Sequence, residues 1–211
     1  ELVAICLKWN LVLIEDAAES LGSFYKGKHT GTIGQFGALS FNGNKVITTG
    51  GGGMVLCKTK ALGERIKHLT TTAKVPHPFE FFHDKAGFNY RLPNINAALG
   101  CAQIELIDTI ISKKRKLAKH YETLFIGTDF NFVTEPSYAK SNYWLNAVIC
   151  PNKKSRDTLL SQTNAAGVMT RPVWKLLHKL PMFANAMRGD LEKSEKIEEL
   201  LVNLPSSPVE V

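Results

Sequence analysis

The stretch Ser40-Phe41-Asn42-Gly43-Asn44-Lys45-Val46-Ile47-Thr48-Thr49-Gly50-Gly51-Gly52-Gly53 decides how this chain is read. It sets one lysine before a turn of small residues. Upstream, Phe36-Gly37-Ala38-Leu39-Ser40-Phe41 predicts a buried strand. Downstream, Gly53-Met54-Val55-Leu56-Cys57 predicts the next one. A lysine between two buried strands, beside four glycines, is badly placed for a surface charge. It is well placed to be a desolvated amine that attacks a carbonyl.

Working outward, Leu11-Val12-Leu13-Ile14 is a continuous apolar run of strand length, followed by Glu15-Asp16. A fully apolar strand after the helical pattern of residues 2–9 predicts a parallel sheet covered on both faces. Asp16 then falls at the carboxyl end of its strand, where open α/β sheets bind ligands, and in a buried setting. Asp16 could equally cap a helix starting at Ala17. Residues 22–35 read as an excursion or short hairpin, and residues 60–71 as a helix. Residues 73–90 read as a loop with two prolines, two histidines and five aromatics; a loop of that length is usually functional. One long helix is predicted from Pro93 to about Phe125, with Ile95, Ala98, Leu99, Ala102, Leu106 and Ile110 at helical spacing. Beyond it, strands are expected at 130–133, 143–150 and 168–170, and helices at 155–166 and 192–203. The domain expectation is a larger α/β domain over 1–110 and a small α/β domain over 111–211.

The 211 residues are 44% apolar and 21% charged, an ordinary globular composition. No apolar run reaches membrane-spanning length, and the start lacks a signal-peptide pattern. The start also lacks a methionine and a helix cap, so the chain reads as beginning inside a helix. The net charge of +7 favours an anionic partner. Its densest cluster, Lys113-Lys114-Arg115-Lys116, reads as a solvated helix face, because no nucleic-acid motif accompanies it. Cys6, Cys57, Cys101 and Cys150 have neither metal-ligand nor redox spacing, and read as buried reduced thiols of a cytoplasmic protein. No metal site is expected.

Pyridoxal 5'-phosphate chemistry needs a lysine for the Schiff base and a carboxylate that keeps the pyridine nitrogen protonated. It also needs neutral donors for the phosphate and a proton shuttle. Lys45 fits the first and last roles and Asp16 the second. The glycine run lacks the GKS or GKT ending of a P-loop and the order of a dinucleotide site.

Three segments carry a family resemblance: residues 14–20 (Ile-Glu-Asp-Ala-Ala-Glu-Ser), residues 40–53, and residues 87–100, which begin Gly87-Phe88-Asn89-Tyr90-Arg91. In order and spacing they resemble the DegT/DnrJ/EryC1/StrS aminotransferases, fold-type I pyridoxal-phosphate enzymes that aminate keto groups on nucleotide-linked sugars. The resemblance implies that Lys45 is the imine lysine and Asp16 the acid at the pyridine nitrogen. It puts Glu19 near the ring hydroxyl and Ser40 at the phosphate. Asn89 is implied to reach the phosphate of a neighbouring subunit, which makes the working unit a homodimer with shared active sites. The family often has an acid where Gly51 stands. Its phosphate loop and ring-stacking aromatic lie upstream of the matching segments, so the chain resembles the C-terminal part of the enzyme: part of the large domain plus the small C-terminal domain.

Residues 23–31, 68–74, 141–146, 169–174 and 204–207 resemble the branch that makes legionaminic acid and bacillosamine-type sugars. That implies a UDP-linked 2-acetamido-2,6-dideoxy-4-keto-hexose as acceptor and glutamate as amino donor. Arg171 and His178 are the candidate substrate contacts, followed by His29, Lys74, Asn142, Tyr143 and Trp174. Two other readings of the same fold stand beside this one. A sugar dehydratase characteristically has histidine at the lysine position. A non-catalytic relative or regulator would not need the Asp16, Ser40 and Lys45 set.

Overall fold

The computed structural model describes residues 1–208. In chain order its elements are α1 (Leu2–Lys8), β1 (Ile14–Asp16), β2 (Phe24–Tyr25), β3 (Lys28–His29), β4 (Phe36–Ser40), β5 (Gly53–Cys57), α2 (Lys60–Thr70), β6 (Lys74–Val75), β7 (Phe82–His83), α3 (Asn94–Ile104) and α4 (Ile107–Leu124). There follow β8 (Asn131–Phe132), β9 (Ala139–Lys140), β10 (Asn146–Ile149), α5 (Lys153–Ala165), β11 (Arg171–Pro172), α6 (Glu192–Leu200) and β12 (Leu201–Leu204). Contacts divide this α/β chain into two units, Glu1–Ile111 with Pro136–Asn142, and Ser112–Glu135 with Tyr143–Val211.

In the first unit β4 is the middle strand of a sheet ordered β1-β4-β5. It runs parallel to β1 and antiparallel to β5, so the sheet is mixed rather than parallel. Strand residues alternate between faces, and paired residues share one. Glu15, Gly37, Leu39 and Leu56 therefore point one way. Their face carries the core cluster of Ala17, Leu39, Phe41 and Ile47, with Leu21, Leu56, Ile107 and Ile110 packed against it. Ile14, Ala38 and Val55 point the other way and are exposed, Ile14 to 63%. The expectation of a sheet covered on both faces fails on that second face. The strand expected at 11–14 is also displaced, because Leu11 and Val12 are exposed and pairing begins at Ile14.

The buried face has a specific reason for its residues. The Glu15 carboxylate accepts hydrogen bonds from the backbone N–H groups of Gly31 at 2.7 Å and of Ile33 and Gly34 at 2.6 Å each. That folds the 31–34 loop onto the sheet. Gly37 must then lack a side chain, since a Cβ there would lie 2.0 Å from the Gly31 carbonyl oxygen. The expected hairpin is β2–β3, with Lys26 and Gly27 both at positive φ in a two-residue turn. Strand β9 joins its edge.

Two helices replace the single long one. The chain bends 61° between α3 and α4, and the apolar stripe read as a core face is exposed at Ile95, Leu99 and Leu106. Among the described residues no single helix is long and apolar enough to cross a membrane, although the bent α3–α4 pair passes that test by length and composition. Of the cysteines, Cys150 is buried and Cys101 exposed, which corrects the expectation that all four are buried.

The second unit holds an antiparallel sheet ordered β11-β12-β10-β8. Its core is Val148, Cys150, Val202 and Leu204, flanked by Tyr121, Phe125, Phe132 and Leu160. Helix α6 stops at Leu200, earlier than predicted, because Leu201-Val202-Asn203-Leu204 alternates in burial and pairs with β10. The strand expected at 168–170 falls instead at Arg171–Pro172. It is an edge strand, where a residue without N–H is tolerated.

The basic cluster on α4 is solvated only in part: Lys116 is exposed, whereas Lys114 and Arg115 are engaged by the protein. Lys114 is 4% exposed, and its Nζ donates to the carbonyls of Trp144 (3.2 Å) and Ser206. Burial lowers its pKa from the usual 10.5 to about 8. Arg115 makes two hydrogen bonds to the Glu135 carboxylate, at 2.8 and 2.7 Å, and its guanidinium pKa is raised by that partner.

Candidate functional site

The site grows from the carboxyl ends of the parallel strands β1 and β4 in the first unit. Asp16 ends β1 and pairs with Ala38; Ser40, two residues further along β4, shares their face. After Ser40 the chain turns at 42–45, where the Lys45 N–H donates to the Asn42 carbonyl at 3.0 Å. The 46–52 segment then folds back. Phe41 N–H donates to the Gly52 carbonyl at 2.9 Å, and Thr49 N–H to the Phe41 carbonyl at 3.0 Å. Helix α3 fixes the segment from outside: Gln103 Oε1 accepts from Thr48 N–H at 2.8 Å, and the Asn96 amide donates to the Thr49 carbonyl. Gly50 and Gly52 sit at φ of +78° and +89°, and a Cβ on Gly52 would reach 2.8 Å from Leu92. Around Gly51 there is open space, so the absence of an acid there relieves no clash; the Thr49 hydroxyl donates to its carbonyl.

This frame turns Lys45 inward. Its side chain is 13% exposed, and Nζ lies 3.2 Å from Glu19 Oε1. The Glu19 segment is braced in turn. The buried Asn142 amide donates to the carbonyls of Glu19 (2.9 Å) and Leu21 (3.0 Å), and Asn142 N–H donates to Ser23 Oγ at 2.9 Å. Asn142 was a candidate substrate contact; these bonds make it a brace of the Glu19 segment. Asp16 is exposed, not buried as expected, because its sheet face is open. Its Oδ1 accepts from Ala18 N–H at 3.2 Å within a turn, and no helix starts at Ala17, so the capping alternative does not hold. Ser40 Oγ accepts from Asn42 N–H at 3.4 Å.

The other candidates separate into structural and exposed groups. His29 Nε2 accepts from Gly22 N–H at 2.8 Å, which leaves Nδ1 to donate to the Thr30 carbonyl at 2.5 Å; both ring nitrogens are engaged. Lys74 Nζ stands 4.0 Å above the Phe81 ring. Asn89 is exposed on a strip that bridges to Thr71 at the end of α2, and the same strip stacks Phe88 on Tyr90. The predicted 73–90 loop holds the β6–β7 hairpin, with His68 Nε2 2.6 Å from Asp84 Oδ1. Arg91 helps line a groove of about 790 Å³ with Gly51, Val55, Ile66 and Asn96.

In the second unit Arg171 is exposed on β11. His178 Nε2 is 3.0 Å from Glu195 Oε1, and Trp174 stacks on Trp144 at 6.2 Å. The Tyr143 hydroxyl accepts from Glu135 N–H at 3.3 Å. Beside His178, the buried Glu198 pairs with Lys179 and with Lys175 at 3.0 Å, and the Lys179 hydrogen bond lowers its pKa.

Sequence reasoning missed Glu15, Lys114 and Glu198. Glu15 was findable, since it is one residue from Asp16 and so faces the opposite side of the sheet. Lys114 and Glu198 sit in polar helices whose sequence gives no sign of the carbonyls and lysines that meet them.

An inward lysine with an acid partner follows the strand end that carries Ser40, and the neighbouring strand end carries Asp16; these four are the candidates for a lysine-centred site on an α/β scaffold. The chain belongs to the DegT/DnrJ/EryC1/StrS aminotransferase family, whose profile matches residues 1–209. It is 39% identical over 188 residues to EpsN of Bacillus subtilis (strain 168), named as a pyridoxal phosphate-dependent aminotransferase. That alignment covers 89% of this chain and 48% of the relative. It is 36% identical over 211 residues to GDP-perosamine synthase of Escherichia coli O157:H7, covering 99% and 56%. Among solved structures, the aminotransferase TlmJ from Streptoalloteichus hindustanus superposes with a TM-score of 0.90 at 24% identity, over 99% of this chain and 56% of that one. The chain thus spans about half the length of the relatives it matches.

Proposed function

We propose that the full-length protein is an aminotransferase that converts a keto group of a nucleotide-linked sugar into an amine. The observation that carries this reading is Lys45: an inward lysine, 13% exposed, paired with Glu19, the two lying in the turns that follow the strand ends carrying Ser40 and Asp16. The donor set fits pyridoxal 5'-phosphate, with an amine for its aldehyde, a carboxylate for its pyridine nitrogen and a hydroxyl for its phosphate. When bound, that cofactor supplies an electron sink for carbon–nitrogen bond exchange.

The chain's own residues then have separate tasks. Asp16 keeps a proton on the pyridine nitrogen. Ser40 donates to the phosphate. Glu19 stands at the ring hydroxyl and within reach of Lys45. Lys45 holds the cofactor between turnovers and, once free, moves the proton between carbon and nitrogen at Nζ. Asn89, exposed on its strip, serves the phosphate of a second subunit in a homodimer with two shared sites. Arg171 and His178 contact the substrate, with His178 oriented by Glu195.

The finer reading has glutamate as donor and a UDP-linked 2-acetamido-2,6-dideoxy-4-keto-hexose as acceptor, for a legionaminic acid or bacillosamine-type glycan. It rests on the resemblance of residues 23–31, 141–146 and 169–174 to that branch. The GDP-sugar name of the Escherichia coli relative makes the nucleotide the first property to assay. The test is amino transfer from glutamate to UDP- and GDP-linked 4-keto sugars by the full-length protein and its Lys45→Ala variant. Turnover by the parent and none by the variant is expected. Full turnover by the variant would overturn the assignment.

A further inference from the structure

The 3.2 Å contact between Lys45 Nζ and Glu19 Oε1 has a role beyond the ring hydroxyl. Resting on the reading of Lys45 above, we propose that Glu19 is a positioning residue that receives the Lys45 ammonium whenever the amine is not bonded to the cofactor. Transamination frees the lysine in every cycle, and a four-carbon side chain in open solvent explores many rotamers. A carboxylate at hydrogen-bond distance removes that freedom.

The surroundings are built for this. Glu19 is held from behind by the buried Asn142, which takes its carbonyl at 2.9 Å and that of Leu21 at 3.0 Å. Lys45 is held by the 42–45 turn and by the 46–52 segment that α3 fastens. The two backbones are therefore fixed while the side chains meet. Residues 36–57 carry no charge other than Lys45. The elements packed around the turn also carry Asp16, Glu105, Asp108 and Glu15, the last engaged by three backbone N–H groups; Glu19 is a carboxylate at hydrogen-bond distance from the amine. With Glu19 half exposed, the pair is of modest strength. That suits a holder that must also let go.

The test compares Glu19→Gln, Glu19→Asp and the parent as full-length proteins, using two readouts on the Lys45 peptide by mass spectrometry. The first is trace acetylation of Lys45 in cofactor-free protein by a small anhydride. The second is the rate at which borohydride fixes added pyridoxal phosphate to Lys45. Glu19→Gln should raise acetylation of Lys45 by about three- to fivefold and slow cofactor fixation by a similar factor, matching the worth of an exposed pair. Other lysines should be unchanged, and Glu19→Asp should restore part of both effects. Either rate unchanged in Glu19→Gln overturns the proposal. Failure of the parent to fix cofactor at Lys45 overturns the functional reading instead, while the acetylation arm still tests the ion pair.

Discussion

Lys45 and Lys114 are inward lysines, one in each unit, and they are turned inward by opposite means. Lys45 meets a carboxylate that is itself half exposed. Lys114 meets two backbone carbonyls in a sealed position, and burial alone pulls its pKa down to about 8. The first arrangement keeps an amine available for chemistry. The second uses an amine as a clasp that joins α4 to the strand ends at Trp144 and Ser206. Partner type, a carboxylate at Lys45 and backbone carbonyls at Lys114, separates the two lysines.

Variants can break that contrast. The largest effect is expected at Lys45 itself. Lys45→Ala removes all turnover of the full-length protein, whereas Lys114→Met leaves turnover per folded molecule largely intact, as steady-state assays on matched folded fractions will show.

Next comes the scaffold under the site. Gly37→Ala forces a Cβ to 2.0 Å from the Gly31 carbonyl oxygen, and Glu15→Ala strips three N–H groups of their acceptor. Each should cost about 2–4 kcal/mol in denaturant unfolding.

Lys114 gives a smaller, pH-specific effect. Its folded pKa lies below its unfolded one, so between about pH 8 and 10.5 the unfolded chain binds more protons. Stability from this group therefore rises with pH across that window, by about 3 kcal/mol. Lys114→Met should abolish the rise, measured as the difference between the two pH–stability curves.

The smallest effect belongs to His178→Ala. Loss of its 3.0 Å contact with the half-exposed Glu195 should cost less than about 1 kcal/mol of stability. A large rise in KM with little change in melting temperature would mark His178 as a substrate contact.

The contrast also explains what was legible in the sequence. Lys45 could be read because its signals are local: a strand, a turn and glycines on one continuous stretch, with Asp16 and Asn89 in flanking motifs. The α/β character followed from runs and periods of the same kind. Lys114 could not be read, since its two carbonyl partners lie 30 and 92 residues away and a helix of four successive basic residues looks solvated from its own sequence. The open face of the β1-β4-β5 sheet was misread for a related reason. Apolar residues at Ile14 and Val55 report that a face suits burial, and not which segment covers it. Asn142 and His29 looked like polar contacts for a sugar because their partners, backbone groups on the 19–23 and 30 segments, carry no side-chain signature.

The central claim is that Lys45 is the amine that holds the cofactor. The most direct measurement is to add pyridoxal phosphate to the full-length protein, reduce with borohydride, digest, and locate the phosphopyridoxyl group by mass spectrometry. One group per chain on the peptide containing Lys45, and none after glutamate has first converted the cofactor to its amino form, is the predicted result. A label on another lysine, or none, would contradict the account.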